Sequence, residues 1–235
     1  MIIACWSGPR NISTALMRSW SSREDTFVID EPFYAYYLKK TQKIHPMKEQ
    51  IIKHYSSNYK EIVNYLTHKV PNQKSIWYQK HMAHHLINLS DINWIKKCQN
   101  CILLRHPKEV ISSYTVKNNL QRVEELGYPQ QYEIAKFLKK SNKSFRVIDS
   151  EDLLKNPSKV LSDWCESINI DFDKSMLKWE KGYHRNDGIW WKHWYDNVIN
   201  TTGFQKYHKK DINIENQYDS IYNESMEYYN YLKGV

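Results

Sequence analysis

The chain has 235 residues, 26% charged and 41% hydrophobic, with a formal net charge of +8 and four cysteines. That length suits one domain with a sizeable core; no run of about 18 apolar residues offers a membrane span, and so few cysteines do not make a disulfide scaffold. The charge divides into a net −4 over residues 211–235 and +12 over residues 1–210, and a basic body suits a polyanion such as a multiply phosphorylated nucleotide or a nucleic acid.

The first apolar run, residues 2–6, reads as a buried strand. It starts so early that it leaves no room for a signal or transit segment, so the expected compartment is the cytoplasm. A tight turn follows, Ser7-Gly8-Pro9-Arg10-Asn11-Ile12, and Ser13 and Thr14 then open a helix. A strand feeding a helix through such a turn aims backbone N–H groups and the positive end of the helix dipole at one point, where a phosphate binds. Arg10 adds a fixed charge, and Ser13 and Thr14 add hydroxyls. No lysine precedes the Ser-Thr pair, so the ATP-binding pattern G-x-x-x-x-G-K-[ST] is absent.

The stretch Pro9-Arg10-Asn11-Ile12-Ser13-Thr14-Ala15-Leu16 resembles the 5′-phosphosulfate loop of the P-loop sulfotransferases, in the P-R-S-G-T-T/S-L form of the tyrosylprotein and bacterial carbohydrate enzymes. It departs from that form at Ile12, where the family has glycine.

Further runs rich in β-branched or aromatic residues lie at 26–29, 75–78, 101–104 and 145–148, alternating with helical patterns. This alternation predicts an α/β fold of three α/β/α layers around a mostly parallel sheet of about five strands. Ligands collect at the carboxyl ends of such strands, which selects residues 7–10, Asp30 and Glu31, residues 79–81, Arg105 and His106, and Asp149. Glu31, stopped by Pro32, is placed to take a proton from an acceptor hydroxyl; tyrosylprotein and trehalose sulfotransferases look similar here, and Glu31 is preferred over Asp30. A helix is expected over 59–69, before Pro71.

Lys80-His81 resembles the strand-end K-T-H of the cytosolic sulfotransferases, whose lysine and histidine serve catalysis. His81, His84 and His85 admit three uses, namely substrate contact or catalysis, plain structure, and a metal. With no carboxylate or cysteine at ligand spacing, no metal is expected. Cys98-x-x-Cys101 lacks a second ligand pair, and Cys101 opens an apolar run, so it reads as a buried strand cysteine.

Arg105 ends the fourth run, Pro107 suits the first position of a helix, and Ser113 falls about two turns in. Arginine and serine so placed can grip a second phosphate, and the stretch resembles the sulfotransferase 3′-phosphate motif R-x-P-x-x-x-x-x-S. The two motifs stand in the family's order, about 95 residues apart. Helices are expected over 158–168 and 216–232, the last packing on the outside of the sheet. The aromatic stretch 190–195 reads either as part of a nucleotide-covering lid, 181–213, or as a small satellite core.

The resemblance implies one domain, 1–235, that transfers a sulfuryl group from 3′-phosphoadenosine 5′-phosphosulfate to a hydroxyl or amine of a small molecule, with no metal. Pro9, Arg10, Asn11, Ile12, Ser13, Thr14, Arg105 and Ser113 would bind the donor, and Glu31, Arg10, His81 and Lys80 would serve catalysis. Either Glu31 or His81 would be the base. The partners are then the nucleotide donor and an acceptor; neither a membrane nor nucleic acid is expected. A P-loop small-molecule kinase or nucleotide hydrolase, and a noncatalytic nucleotide binder, are the alternatives.

Overall fold

A computed structural model describes residues 1–209 and 211–235. Five strands, β1 (Ile2–Ser7), β2 (Thr26–Asp30), β3 (Ile76–Met82), β4 (Gln99–Leu104) and β5 (Phe145–Asp149), form one sheet in the order β2-β3-β1-β4-β5. All four pairings are parallel, as the alternation of strand and helix requires. The helices are α1 (Ser13–Ser21), α2 (Tyr34–Thr41), α3 (Lys48–His54), α4 (Tyr59–Leu66), α5 (Pro107–Thr115), α6 (Tyr128–Lys140), α7 (Ser150–Lys155), α8 (Pro157–Ser167), the short α9 (Trp191–Trp194) and α10 (Asp219–Lys233).

Strand alternation divides the core into two layers. From β1, Ala4 and Trp6 join Trp77, Ile102 and Leu104 on one face, under α4, α5, α6 and α10. Ile3 and Cys5 join Tyr78, Cys101 and Leu103 on the other, under α1 and α8. Cys101 is fully buried in β4 as expected, and all four cysteines are free thiols. A run buried on both faces is continuous and apolar, which is why residues 2–6 were legible as a strand.

Two expectations are adjusted. The third strand continues past residue 78 to Met82, so Lys80 and His81 lie within it rather than beyond it. The C-terminal helix packs over the outside of the sheet as expected, beside α5 and α6, with Tyr229 and Leu232 buried against that layer. Asp149 at the end of β5 caps α7 through the Glu151 N–H and accepts from the Tyr229 hydroxyl and Lys233; it faces this helix rather than a ligand site. No helix among the described residues is long and apolar enough to cross a membrane.

A third cluster packs Trp190 and Tyr195 against Tyr34, Ala35, Leu38 and Ile51, so the aromatic stretch is a satellite core. Its approach is pinned by Arg18 of α1, whose Nη2 donates to Asp187 Oδ2 at 2.6 Å and whose Nη1 donates to the Gly182 carbonyl at 2.8 Å. Both partners of this ion pair are buried. Removing one partner leaves a buried charge unpaired, so Asp187→Ala should lower the unfolding free energy by about 3–5 kcal/mol, read from urea denaturation.

Candidate active site

At the carboxyl edge of the sheet a cavity of about 330 Å³ opens between the loop after β1, the ends of β2, β3 and β4, and residues 194–205. The loop is shaped by close approach. A Cβ on Gly8 would sit 2.1 Å from the Leu126 carbonyl oxygen, so only glycine fits there. The Asn11 amide ties the loop down by donating to the Leu103 carbonyl at 3.0 Å. Arg10 and Ile12 both have left-handed backbones, with φ of 61° and 56°. Ile12 therefore keeps the backbone that a glycine would adopt, although a β-branched residue is strained there, and its side chain packs on the α1 face of the core.

No side chain caps the N-terminus of α1. Its first N–H groups are left open beside Ser13 and Thr14, which also line the cavity. On the far wall, Arg10 Nε donates to Ser113 Oγ at 2.8 Å. Arg105 is fixed by Nε to Glu109 at 2.7 Å and by Nη1 to the Arg10 carbonyl at 2.7 Å. Burial, then the like charge of Arg105, pushes the Arg10 guanidinium below its usual pKa. Two guanidiniums that repel each other on one wall of a cavity form a site that an anion relieves.

Glu31 stands between the loop and the deeper half of the cavity. It follows β2 with φ 41°, and its N–H continues the ladder to the Lys80 carbonyl at 2.9 Å. Lys80 Nζ donates to Glu31 Oε1 at 2.7 Å, Asp30 Oδ1 at 2.8 Å and the Tyr195 hydroxyl at 2.8 Å. All three ammonium protons are thereby engaged. Burial lifts the Glu31 carboxyl to about 7, with Lys80 opposing the shift and Asp30 adding to it. Burial pulls the other way on Lys80, but Asp30 and Glu31 outweigh it and hold the ammonium charged.

The structure brings together Pro9 to Thr14, Glu31, Lys80, Arg105 and Ser113 around this one cavity. It does not bring His81 there. Successive strand residues point to opposite faces, so with Lys80 turned to the cavity His81 turns away. It stacks on Trp6 with ring centroids 4.3 Å apart, and Nε2 meets Gln79 Oε1 at 3.2 Å. Burial lowers its pKa to about 3.

Residues that sequence reasoning did not single out line the deeper half, among them Tyr34, Tyr37, Lys43, His45 and Tyr195. They come from segments without a motif. Only the aromatic density of residues 190–195 marked the region of Tyr195. His84 and His85 also line this half, kept neutral by burial. Among the described residues no group of three or more His, Cys, Asp or Glu side chains is arranged to hold a metal.

A parallel α/β domain of this kind gathers an uncapped helix start, paired guanidiniums and a buried carboxylate at one sheet edge, where ligands of such sheets collect and anions are favoured. The chain belongs to the Sulfotransferase domain family, whose pattern matches residues 1–235. It is similar to two Arabidopsis thaliana proteins, Branched-chain-amino-acid aminotransferase-like protein 2 (28% identity over 99% of this chain and 41% of that protein) and protein 1 (30% identity, 99% and 42%). The chain thus spans about two fifths of the length of these relatives. Among solved structures it is similar to the sulfotransferase domain of the Synechococcus PCC 7002 olefin synthase, with TM-score 0.60 and 15% identity over 98% of this chain and 94% of that one. A sulfotransferase domain from the curacin biosynthetic pathway gives TM-score 0.50 and 16% identity, covering 95% and 96%. At these identities the structural likeness speaks to the fold.

The tight contact at Gly8 generates a prediction. Gly8→Ala should cost about 1–3 kcal/mol of stability, because the Leu126 backbone must shift to admit the methyl group. Thermal unfolding checks it.

Proposed function

We propose that the protein transfers the sulfuryl group of 3′-phosphoadenosine 5′-phosphosulfate to a hydroxyl or amine of a small molecule. The observation that carries this reading is the meeting of two anion-binding corners and one buried carboxylate in a single cavity. Residues 9–14 and the open N-terminus of α1 hold the 5′-phosphosulfate. Arg105 and Ser113 hold the 3′-phosphate, with Arg10 bridging the two corners through its bond to Ser113.

In the reaction the acceptor oxygen or nitrogen attacks sulfur, and the bond from sulfur to the bridging phosphate oxygen breaks. Adenosine 3′,5′-bisphosphate leaves, its new charge stabilised by Arg10 and the loop amides. The acceptor's proton passes to Glu31. Lys80, with every proton engaged by protein acceptors, orients Glu31 rather than the sulfuryl group. Residues 194–205 cover the donor, with Thr201, Gly203, Phe204 and Gln205 along its side of the cavity. The four free thiols support a reducing, cytoplasmic setting.

The donor assignment is tested by binding. Arg105→Ala should weaken adenosine 3′,5′-bisphosphate by about tenfold to a hundredfold, while adenosine 5′-phosphosulfate, which lacks the 3′-phosphate, hardly changes. Isothermal titration reads both, and equal losses would remove Arg105 from the 3′-phosphate.

The chemistry is tested at Glu31, once an acceptor has been found by screening hydroxyl and amine metabolites with radiolabelled donor. Glu31→Gln keeps the shape but cannot accept a proton, so turnover should fall by about 10²–10⁴ with donor affinity within a few-fold of wild type. Because the carboxylate is the active form, kcat/KM of the wild type should rise about tenfold per pH unit on the acid side and level off above about 7. A flat profile across that range would count against Glu31.

A further inference from the structure

Two carboxylates adjacent in sequence share one lysine, and they are not equivalent. Asp30 accepts from Lys80 on Oδ1, and on Oδ2 from the Tyr195 hydroxyl at 2.5 Å and the Gly188 N–H at 2.9 Å. Among the side chains of the described residues, Glu31 accepts from Lys80 alone, and it is the one of the two that lines the cavity. The Tyr195 hydroxyl itself accepts from Lys80 and from Trp190 Nε1, at 2.8 and 3.3 Å. The tyrosine ring also lies 5.0 Å from the ammonium.

We propose that Asp30, held by Tyr195 and Gly188, is a positioning residue that engages the Lys80 charge and thereby leaves Glu31 basic enough to take the acceptor's proton. The inference rests on the reading of Glu31 as the base. A carboxylate facing a lone buried ammonium is stabilised as the anion and is a poor proton acceptor. With Asp30 beside it, the ammonium is already matched, and the charge of the ionised trio falls on Glu31.

The other groups facing this trio do not supply that effect. Tyr34 of α2 faces Glu31, and burial holds its phenol protonated. His45 and His85 behind it are neutral through burial. Tyr55 and Asp187 lie on the Asp30 side, Asp187 already paired with Arg18. Arg10 and Arg105 line the opposite wall.

The same contacts join the base to a distant part of the chain. Gly188 and Tyr195 belong to the segment that continues into Thr201–Gln205 along the loop side of the cavity. The order of that segment and the basicity of Glu31 are therefore linked through Asp30, which is 165 residues from Tyr195.

The test reads Glu31 directly and needs neither donor nor acceptor. In protein carrying carbon-13 in its glutamate carboxyl groups, the signal lost in Glu31→Gln identifies Glu31, and its chemical shift against pH gives the titration midpoint. Asp30→Asn removes the competing charge, so the midpoint should fall by about one pH unit or more. Tyr195→Phe keeps the ring but removes the hydroxyl that holds Asp30 and takes one Lys80 proton, so the ammonium turns more fully to Glu31 and the midpoint should fall, by less than in Asp30→Asn. Falls in both variants support the proposal, and any other pattern overturns it. Should Asp30→Asn not fold, as judged by circular dichroism, Tyr195→Phe decides alone: a fall supports, and no change or a rise overturns. An unmoved midpoint would remove the role of Asp30, whereas full turnover in Glu31→Gln would remove the base; the two readings fail separately.

Discussion

The site depends on one buried ammonium. Lys80 has no solvent exposure, and a charge so placed survives only if its protons are met by acceptors. Those acceptors come from the end of β2 and from the late aromatic segment, which the bonds of Tyr195 and Gly188 to Asp30 also join. The lysine thus fixes the carboxyl edge of the sheet, the carboxylate at its mouth and the wall that closes over it. Replacing the trio by apolar residues would suit the core but would leave nothing to handle a proton, the usual relation between stability and function at a site.

The sheet supplies the geometry that makes this pairing selective. With β1 central and β3 and β4 on either side, Arg10 after β1, Lys80 near the end of β3 and Arg105 after β4 are all presented at one edge. The alternation of strand residues then sorts their neighbours. Lys80 is turned to the cavity, and His81, one residue on, must point into the Trp6 layer. No adjustment short of a bulge could present both.

How much of this was legible in the sequence follows from range. The five strands, the glycine-bearing turn after β1 and the strand end at Arg105 with its Pro107 helix start are written in contiguous residues, each governed by local pattern and turn chemistry, and they could be read. The reach of β3 was missed because Gln79, Lys80 and His81 are polar, and buried polar residues are stabilised by partners that lie 49 to 115 residues away for Lys80. The same holds for Tyr195, whose role depends on Asp30 and leaves no mark in its own neighbourhood. His81 was misplaced for a related reason, since a motif read as a linear string carries no record of which face each residue takes. The deeper wall, with Tyr34, Lys43 and His45, is drawn from a stretch whose composition is mixed and whose folding is decided by tertiary packing.

The two halves of the cavity differ in their electrostatics, and in the proposed reaction the difference separates the fate of the proton from that of the leaving group's charge. The loop side presents Arg10, Arg105 and the unpaired amides of α1. These charges are held close at a cost that a phosphorylated nucleotide would relieve, which favours binding donor and leaving group alike. The deeper side presents imidazoles that burial keeps neutral and phenols that burial keeps protonated. Such a wall can donate and accept hydrogen bonds without adding charge of its own, Lys43 at its rim aside. Glu31 is the boundary between them. A proton released on the deeper side finds one carboxylate with acceptor capacity facing it, and the negative charge released on the loop side finds fixed cations. The sulfuryl group in the proposed reaction crosses from the loop side to the deeper side, and the protein need only hold the two apart.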